Sequence, residues 1–130
     1  MNDNRAFSID ASGGGGTREK GDRGEDAAVE YLIARGFEIL CRKYQSRRGE
    51  IDCIARDTDG TLVFVEVKSS MSTACGSPFS WVTPVKQRKL MAMARQYLAE
   101  HRISSAPCRF DVIGITRGKV EHLRNAIIGM

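Results

Sequence analysis

Thr61-Leu62-Val63-Phe64-Val65-Glu66-Val67-Lys68 is the most strand-like run in the chain, and it ends on a carboxylate and an ammonium. At a period of two, Val63, Val65 and Val67 take one face and Leu62, Phe64, Glu66 and Lys68 the other, so both faces are apolar until the last residues. A strand of that pattern sits in the middle of a covered sheet. A buried charge is costly unless it is paired or bound to a metal, so Glu66 and Lys68 need partners from elsewhere in the fold. The segment before it supplies one. Arg48-Gly49-Glu50-Ile51-Asp52-Cys53-Ile54-Ala55 reads as a second strand in which Asp52 shares a face with Glu50 and Ile54. A short turn at Thr58-Asp59-Gly60 brings the two strands antiparallel, and Asp52 then meets Glu66.

Working outward toward the N-terminus, residues 17–35 follow a helical period, with Gly36 as the stop. Ala28, Val29 and Leu32 form its apolar stripe, and Glu25 falls on the same face while Asp26 and Glu30 do not. Glu25 is therefore the acid of this helix expected to look inward. Residues 37–45 give the first strand, 49–56 the second and 61–69 the third, as an antiparallel meander. Residues 1–16, ending in four glycines, have almost nothing to bury and read as a disordered tail before a domain of residues 17–130.

Toward the C-terminus, residues 71–82 lack any period and contain Gly76, Pro78 and Trp81, which makes them a long loop beside the acids. Thr83 and Pro84 supply an N-cap and a first-turn proline for a helix reaching about His101, with Leu90, Met91, Ala94, Tyr97 and Leu98 inward. Residues 108–116 form a fourth strand and 119–123 a fifth, after the Arg117-Gly118 turn. A right-handed crossover through the second helix makes the third and fourth strands parallel neighbours. The fold class expected is α/β, a mixed sheet flanked by helices.

A chain of 130 residues with 42% hydrophobic and 28% charged residues is one ordinary globular domain. Its apolar runs are too short and too often interrupted by charge to span a bilayer, and residues 1–10 lack a secretory pattern, so no membrane partner and a cytoplasmic location are expected. Cys41, Cys53, Cys75 and Cys108 have no metal-ligand spacing and read as reduced thiols, while His101 and His122 read as solvent-facing or capping residues. The net charge of +4 is a modest bias, but its placement is informative. Arg42, Lys43, Arg47 and Arg48 flank the Asp52 strand, and Lys86, Arg88 and Lys89 open the second helix. Basic residues that bracket an acidic centre suit metals held beneath a phosphate backbone.

The chemistry that wants this set is metal-assisted phosphodiester hydrolysis. Asp52 and Glu66 would hold one or two Mg²⁺ (or Mn²⁺), hard cations that prefer carboxylate oxygens, with the Val67 carbonyl as a further ligand. Glu25 would hold a second ion or its water. Lys68 would position the attacking water or stabilise charge on the phosphorane. The competing reading is a structural ion-pair network in which Lys68 neutralises Glu66 and Asp52. It leaves an excess of acid, because Glu25, Glu50, Asp52 and Glu66 outnumber one lysine. Glu50 shares a face with Asp52 but lies beside Arg47 and Arg48, and no catalytic role is assigned to it.

Gly24-Glu25-Asp26-Ala27-Ala28, residues 48–57 from Arg48 through Asp52 to Asp57, Val63 to Lys68, and Arg109-Phe110-Asp111-Val112-Ile113 resemble the YraN family of small bacterial proteins, over about residues 20–123. Through it the chain resembles Holliday-junction resolvases and the PD-(D/E)xK restriction-endonuclease-like superfamily. That resemblance implies a restriction-endonuclease-like αβββαβ core. It matches Asp52, Glu66 and Lys68 to the catalytic acid, acid and lysine, and Glu25 to a helix-one glutamate. It also suggests Lys86 or Gln87 as an accessory phosphate contact, joining Arg47 and Arg48 in nucleic-acid binding. One departure is Ser69-Ser70 after Lys68, where many relatives carry a basic or aromatic residue. Two functions follow as expectations: a Mg²⁺-dependent endonuclease on DNA, branched substrates of repair or recombination included, or a weakly active or inactive nucleic-acid-binding module acting through a protein partner. A homodimer is left open.

Overall fold

The computed structural model of the chain describes residues 17–69 and 83–126. In order they form α1 (Thr17–Ala34), β1 (Glu38–Ser46), β2 (Gly49–Arg56), β3 (Leu62–Ser69), α2 (Pro84–Glu100), β4 (Cys108–Thr116) and β5 (Lys119–Leu123). The strands make one sheet in the order β1-β2-β3-β4-β5. All neighbours are antiparallel except β3 and β4, which pair in parallel from Leu62↔Cys108 to Ser69↔Ile115. The mixed α/β sheet and the αβββαβ order are therefore as expected. The expected tail, the expected loop at 71–82 with Trp81, and Cys75 lie outside the described residues.

Each helix covers one face of the sheet. Ala28, Val29 and Leu32 of α1 pack with Phe37, Cys53, Ala55, Val63, Val65 and Ile113, whereas Leu90, Met93, Ala94 and Tyr97 of α2 pack with Ile54, Leu62, Phe64, Phe110 and Val112. The alternation along β3 is thus the one its sequence dictates, and its even positions face α2. On α2 the buried stripe is Leu90, Met93, Ala94 and Tyr97, while Met91 and Leu98 are only partly covered. The 3.6-residue period puts those last two on the flank, with Met93 at the centre of the stripe. Cys41, Cys53 and Cys108 are free thiols, and burial pushes that of Cys53 up to about 12, so it behaves as a small apolar side chain. Among the described residues no helix is long and apolar enough to cross a membrane.

The end of α1 fixes how the chain enters the sheet. Gly36 N–H donates to the Ile33 carbonyl and Phe37 N–H to that of Leu32, both at 3.0 Å, with Gly36 at φ +93°. This paired arrangement needs a left-handed residue, and Phe37 packs back onto Leu32 in the same core. A Cβ on Gly36 would also lie 2.9 Å from Thr58 Cγ2 in the β2–β3 turn. Gly36→Ala is therefore expected to cost about 1–2 kcal/mol, with the clash adding to the backbone strain. Urea denaturation measures it, and a neutral result would mean that neither the turn nor the close approach matters.

The β1–β2 ladder carries an irregularity that sequence patterning does not foresee. Pairing shifts register between Ile39 and Cys41, then runs Cys41↔Ile54, Arg42↔Cys53, Tyr44↔Ile51, and Lys43 and Asp52, which stand opposite each other in that register, do not pair. Lys43 is in the left-handed region at φ +55°, a conformation that strains a non-glycine residue. Past this point the alternation changes phase. Ile51 and Ile54 both join the α2 core although they are three apart, and so do Cys41 and Tyr44. The expectation that Asp52 shares the Ile54 face is corrected accordingly: it sits at the phase change. The β2–β3 ladder stops here as well, its last pair being Cys53↔Val65.

Candidate active site

The site forms where β2 and β3 part. Asp57 N–H donates to the Thr61 carbonyl at 2.9 Å, and in the same register the odd positions Val63 and Val65 turn their backbone groups to β2, so Val67, two residues on, turns its amide and carbonyl the same way. Past the end of the ladder, Val67 N–H donates to Asp52 Oδ2 at 2.7 Å. Asp52 thereby fills the gap between the strands with its side chain. Glu66, next along β3, is buried and faces α2, where Lys86 Nζ of the first helical turn lies 2.5 Å from its Oε2. Lys68 Nζ approaches the same oxygen at 3.6 Å. From the opposite face, Glu25 of α1 lies close enough for its negative charge to act on Asp52. Its Oε1 takes no hydrogen bond, and Lys43 Nζ stands 3.0 Å away as an ion pair.

The expected residues Glu25, Asp52, Glu66 and Lys68 are thus brought together, with the Val67 backbone among them. Their charges are unevenly answered. Glu66 has two ammonium groups and Glu25 has one, but among the described residues no cation lies within ion-pair distance of Asp52. Burial pushes the Asp52 carboxyl up to about 8, and the negative charges of Glu66 and Glu25 push the same way, against the opposing Val67 hydrogen bond. Burial would lower the Lys86 ammonium, yet its hydrogen bond to Glu66 holds it above the ordinary lysine range.

The basic residues divide. Arg47 and Arg48 are exposed at the tip of the β1–β2 hairpin, at the same end of the sheet as Asp52 and the end of β3. Arg42 and Lys43, expected beside them, are instead turned to α1: Arg42 Nη2 donates to Asp26 at 2.6 Å and Lys43 pairs with Glu25. Lys86 is drawn inward to Glu66, whereas Gln87 sits half-buried beside it, its backbone N–H donating to the Thr83 carbonyl. Glu50 is exposed and, among the described residues, accepts a long bond from Gln45 at 3.4 Å.

A second charged cluster, missed in the sequence, lies under α1 between β4 and β5. Asp111 is fully buried and accepts from Arg109 Nε at 3.0 Å, His122 Nε2 at 2.7 Å and the Asn125 amide at 2.9 Å. Arg109 continues to Asp57 at 2.8 Å, and the Tyr31 hydroxyl meets His122 Nδ1 at 3.2 Å. His122 is therefore not a surface or capping residue. The signal was present: an acid in the middle of the apolar β4 run poses the same question as Glu66 in β3.

Does the site fit a divalent cation? Among the described residues no group of three or more His, Cys, Asp or Glu side chains is arranged to hold a metal. Mg²⁺, however, is commonly held by only one or two carboxylates, with water and substrate phosphate completing the shell. Asp52 and Glu66 with the Val67 carbonyl are such hard oxygen donors, and Asp52, whose ionisation is opposed by burial and by Glu66 and Glu25, is the carboxyl that a cation would stabilise as the anion.

Residues 24–115 match the profile described as "Uncharacterised protein family UPF0102". The chain belongs to the UPF0102 family. Related UPF0102 proteins include those of Ralstonia nicotianae, 43% identical over 85% of this chain and 88% of that protein, and of Symbiobacterium thermophilum, 45% identical over 86% and 94%. A UPF0102 protein of Persephonella marina is 46% identical over 82% of this chain and 91% of its own. The YraN resemblance is thereby borne out. Among solved structures, Pyrococcus furiosus SfsA in complex with Ca²⁺ aligns with a TM-score of 0.31 at 16% identity, over 83% of this chain and 63% of that one. That likeness is too remote to carry fold or function across.

Proposed function

We propose that this UPF0102 protein is a metal-dependent endonuclease that hydrolyses phosphodiester bonds in DNA, with Mg²⁺ or Mn²⁺ as cofactor. The observation that carries the reading is the approach of Asp52 and Glu66 at the strand break, with Lys68 beside Glu66 and, among the described residues, no cation within ion-pair distance of Asp52. Asp52, Glu66 and the Val67 carbonyl would hold the ion, which supplies Lewis acidity toward a phosphoryl oxygen and a more acidic water. Lys68 donates to the anionic phosphate or steadies the nucleophile, and Glu25, whose charge bears on Asp52 from the opposite face, would hold a second ion or its water. Arg47 and Arg48, exposed at the same end of the sheet, give the phosphate backbone a place to rest. Branched DNA of repair or recombination is the substrate class that the resemblance favours.

The test is cleavage of a panel of branched, nicked and linear DNA in Mg²⁺ or Mn²⁺. The expected result is cutting that Glu66→Ala reduces by at least about 100-fold. The ion pairs already on Glu66 favour a second reading, a binding module that acts through a protein partner. Salt-dependent DNA binding in Ca²⁺, with a log–log slope of roughly −0.9 per phosphate contact but no cutting in Mg²⁺ or Mn²⁺, would select that reading. Absence of binding at low salt would count against both.

A further inference from the structure

We infer that Lys86 is a built-in placeholder for the divalent ion: its ammonium holds Glu66 while the site is ion-free, and it yields that carboxylate to the ion and turns to the substrate phosphate. The inference rests on the metal-site reading above and deepens it, since it assigns Lys86 a gating role at that site.

Three observations converge on it. Lys86 and Lys68 crowd the same oxygen, Glu66 Oε2, at 2.5 and 3.6 Å, while Asp52, which faces the strand gap, has neither. One carboxylate thus carries two ammonium groups beside another that, among the described residues, carries none. Helix stability does not explain the lysine either. Lys86 lies in the first turn of α2, the end of the macrodipole that disfavours cations, and no acidic residue accompanies it there. The third observation is freedom of movement. The Lys86 backbone is pinned, its amide bonded to Thr83 Oγ1 at 3.2 Å, but its side chain is about a third exposed and can swing without disturbing the helix.

An ion that needs a Glu66 oxygen must compete with this ammonium. Lys68 remains beside Glu66 when Lys86 leaves, so the carboxylate does not lose all of its positive neighbours. The released ammonium carries its charge to the end of the sheet where Arg47 and Arg48 are exposed. Ion and phosphate then enter together, and the site is held neutral between substrates.

Calorimetric titration of the full chain with Mn²⁺ tests this without reference to activity. A lysine that occupies the carboxylate about nine-tenths of the time weakens apparent ion affinity about tenfold, so Lys86→Met is expected to bind Mn²⁺ about tenfold more tightly than the unmodified chain. Lys86→Gln, which preserves polarity and near-equal reach, is expected to shift affinity in the same direction. Binding of linear duplex DNA in Ca²⁺ is expected to lose about one phosphate contact from its salt slope in both variants. Unmodified protein that binds Mn²⁺, with both variants folded and their affinity equal or weaker, overturns the placeholder while leaving the metal site standing. Unmodified protein that takes up no Mn²⁺ overturns both.

Discussion

Asp111→Asn is expected to lower the unfolding free energy by about 3–5 kcal/mol, although the change alters no atom of the candidate active site and keeps the side chain's shape. The carboxylate is fully enclosed and accepts from a guanidinium, an imidazole and a backbone amide. An amide NH₂ in place of one oxygen would point a donor at donors, and the nearly buried Arg109 would lose half of its compensation. Burial alone would raise the Asp111 carboxyl, but the bonds from His122 and Arg109 outweigh it and hold it below the usual carboxylate range. An acid depressed in the fold contributes stability above its unfolded value, lost as pH falls through the folded one. The cluster therefore weakens on the acid side. Urea unfolding at pH 7 measures the variant, with Arg124→Ala as the contrast: that guanidinium is more than half exposed at 3.3 Å from Asp57, and its loss is expected to cost about 1 kcal/mol or less. Equal effects from the two would mean that the buried cluster carries no special share of stability.

The second large effect has the opposite sign. Asp52→Asn is expected to stabilise the protein in chelator at pH 8.5 by roughly 3 kcal/mol, and to have little effect near pH 4. Burial, with Glu66 and Glu25 close by, raises Asp52 in the folded chain to about 8, well above its unfolded value. Such a group gives stability that is complete below the unfolded value and is lost as pH climbs through the folded one. The unmodified protein should thus grow less stable between about pH 4 and pH 8, and the Asn variant should lack that slope. Thermal unfolding in chelator across this range is the measurement. A variant that melts lower than the parent at pH 8.5 would mean that Asp52 is already compensated by its neighbours, which would remove the electrostatic case for a cation there.

Much of the fold was legible because β3 states both of its faces: alternating Val63, Val65 and Val67 against Leu62, Phe64 and Glu66 leave one way to cover it. The same run announced the site by ending in charge. Glu25 was legible from its spacing to Ala28, Val29 and Leu32. What the sequence hid is the phase change at Lys43 and Asp52, because a lysine carries no propensity for the left-handed conformation it adopts here. Nor could it say which acid each lysine would choose: Lys43 turns to Glu25 and Lys86 to Glu66, pairings set by how two helices approach from opposite faces. His122 was misjudged for a related reason. Its partner Asp111 is on the neighbouring strand, and Tyr31 is 91 residues away, so no local pattern joins them.

The sheet is a wall between two interiors. α1 and its apolar residues fill one, α2 and its own fill the other, and a change of side-chain volume in either stays on its own side. The wall has an opening where β2 and β3 part, and Asp52 stands in it with Glu25 toward one room and Glu66 toward the other. Shape is thus private to each half of the molecule, while charge is held in common. A proton or an ion arriving at that opening is felt by both helices at once.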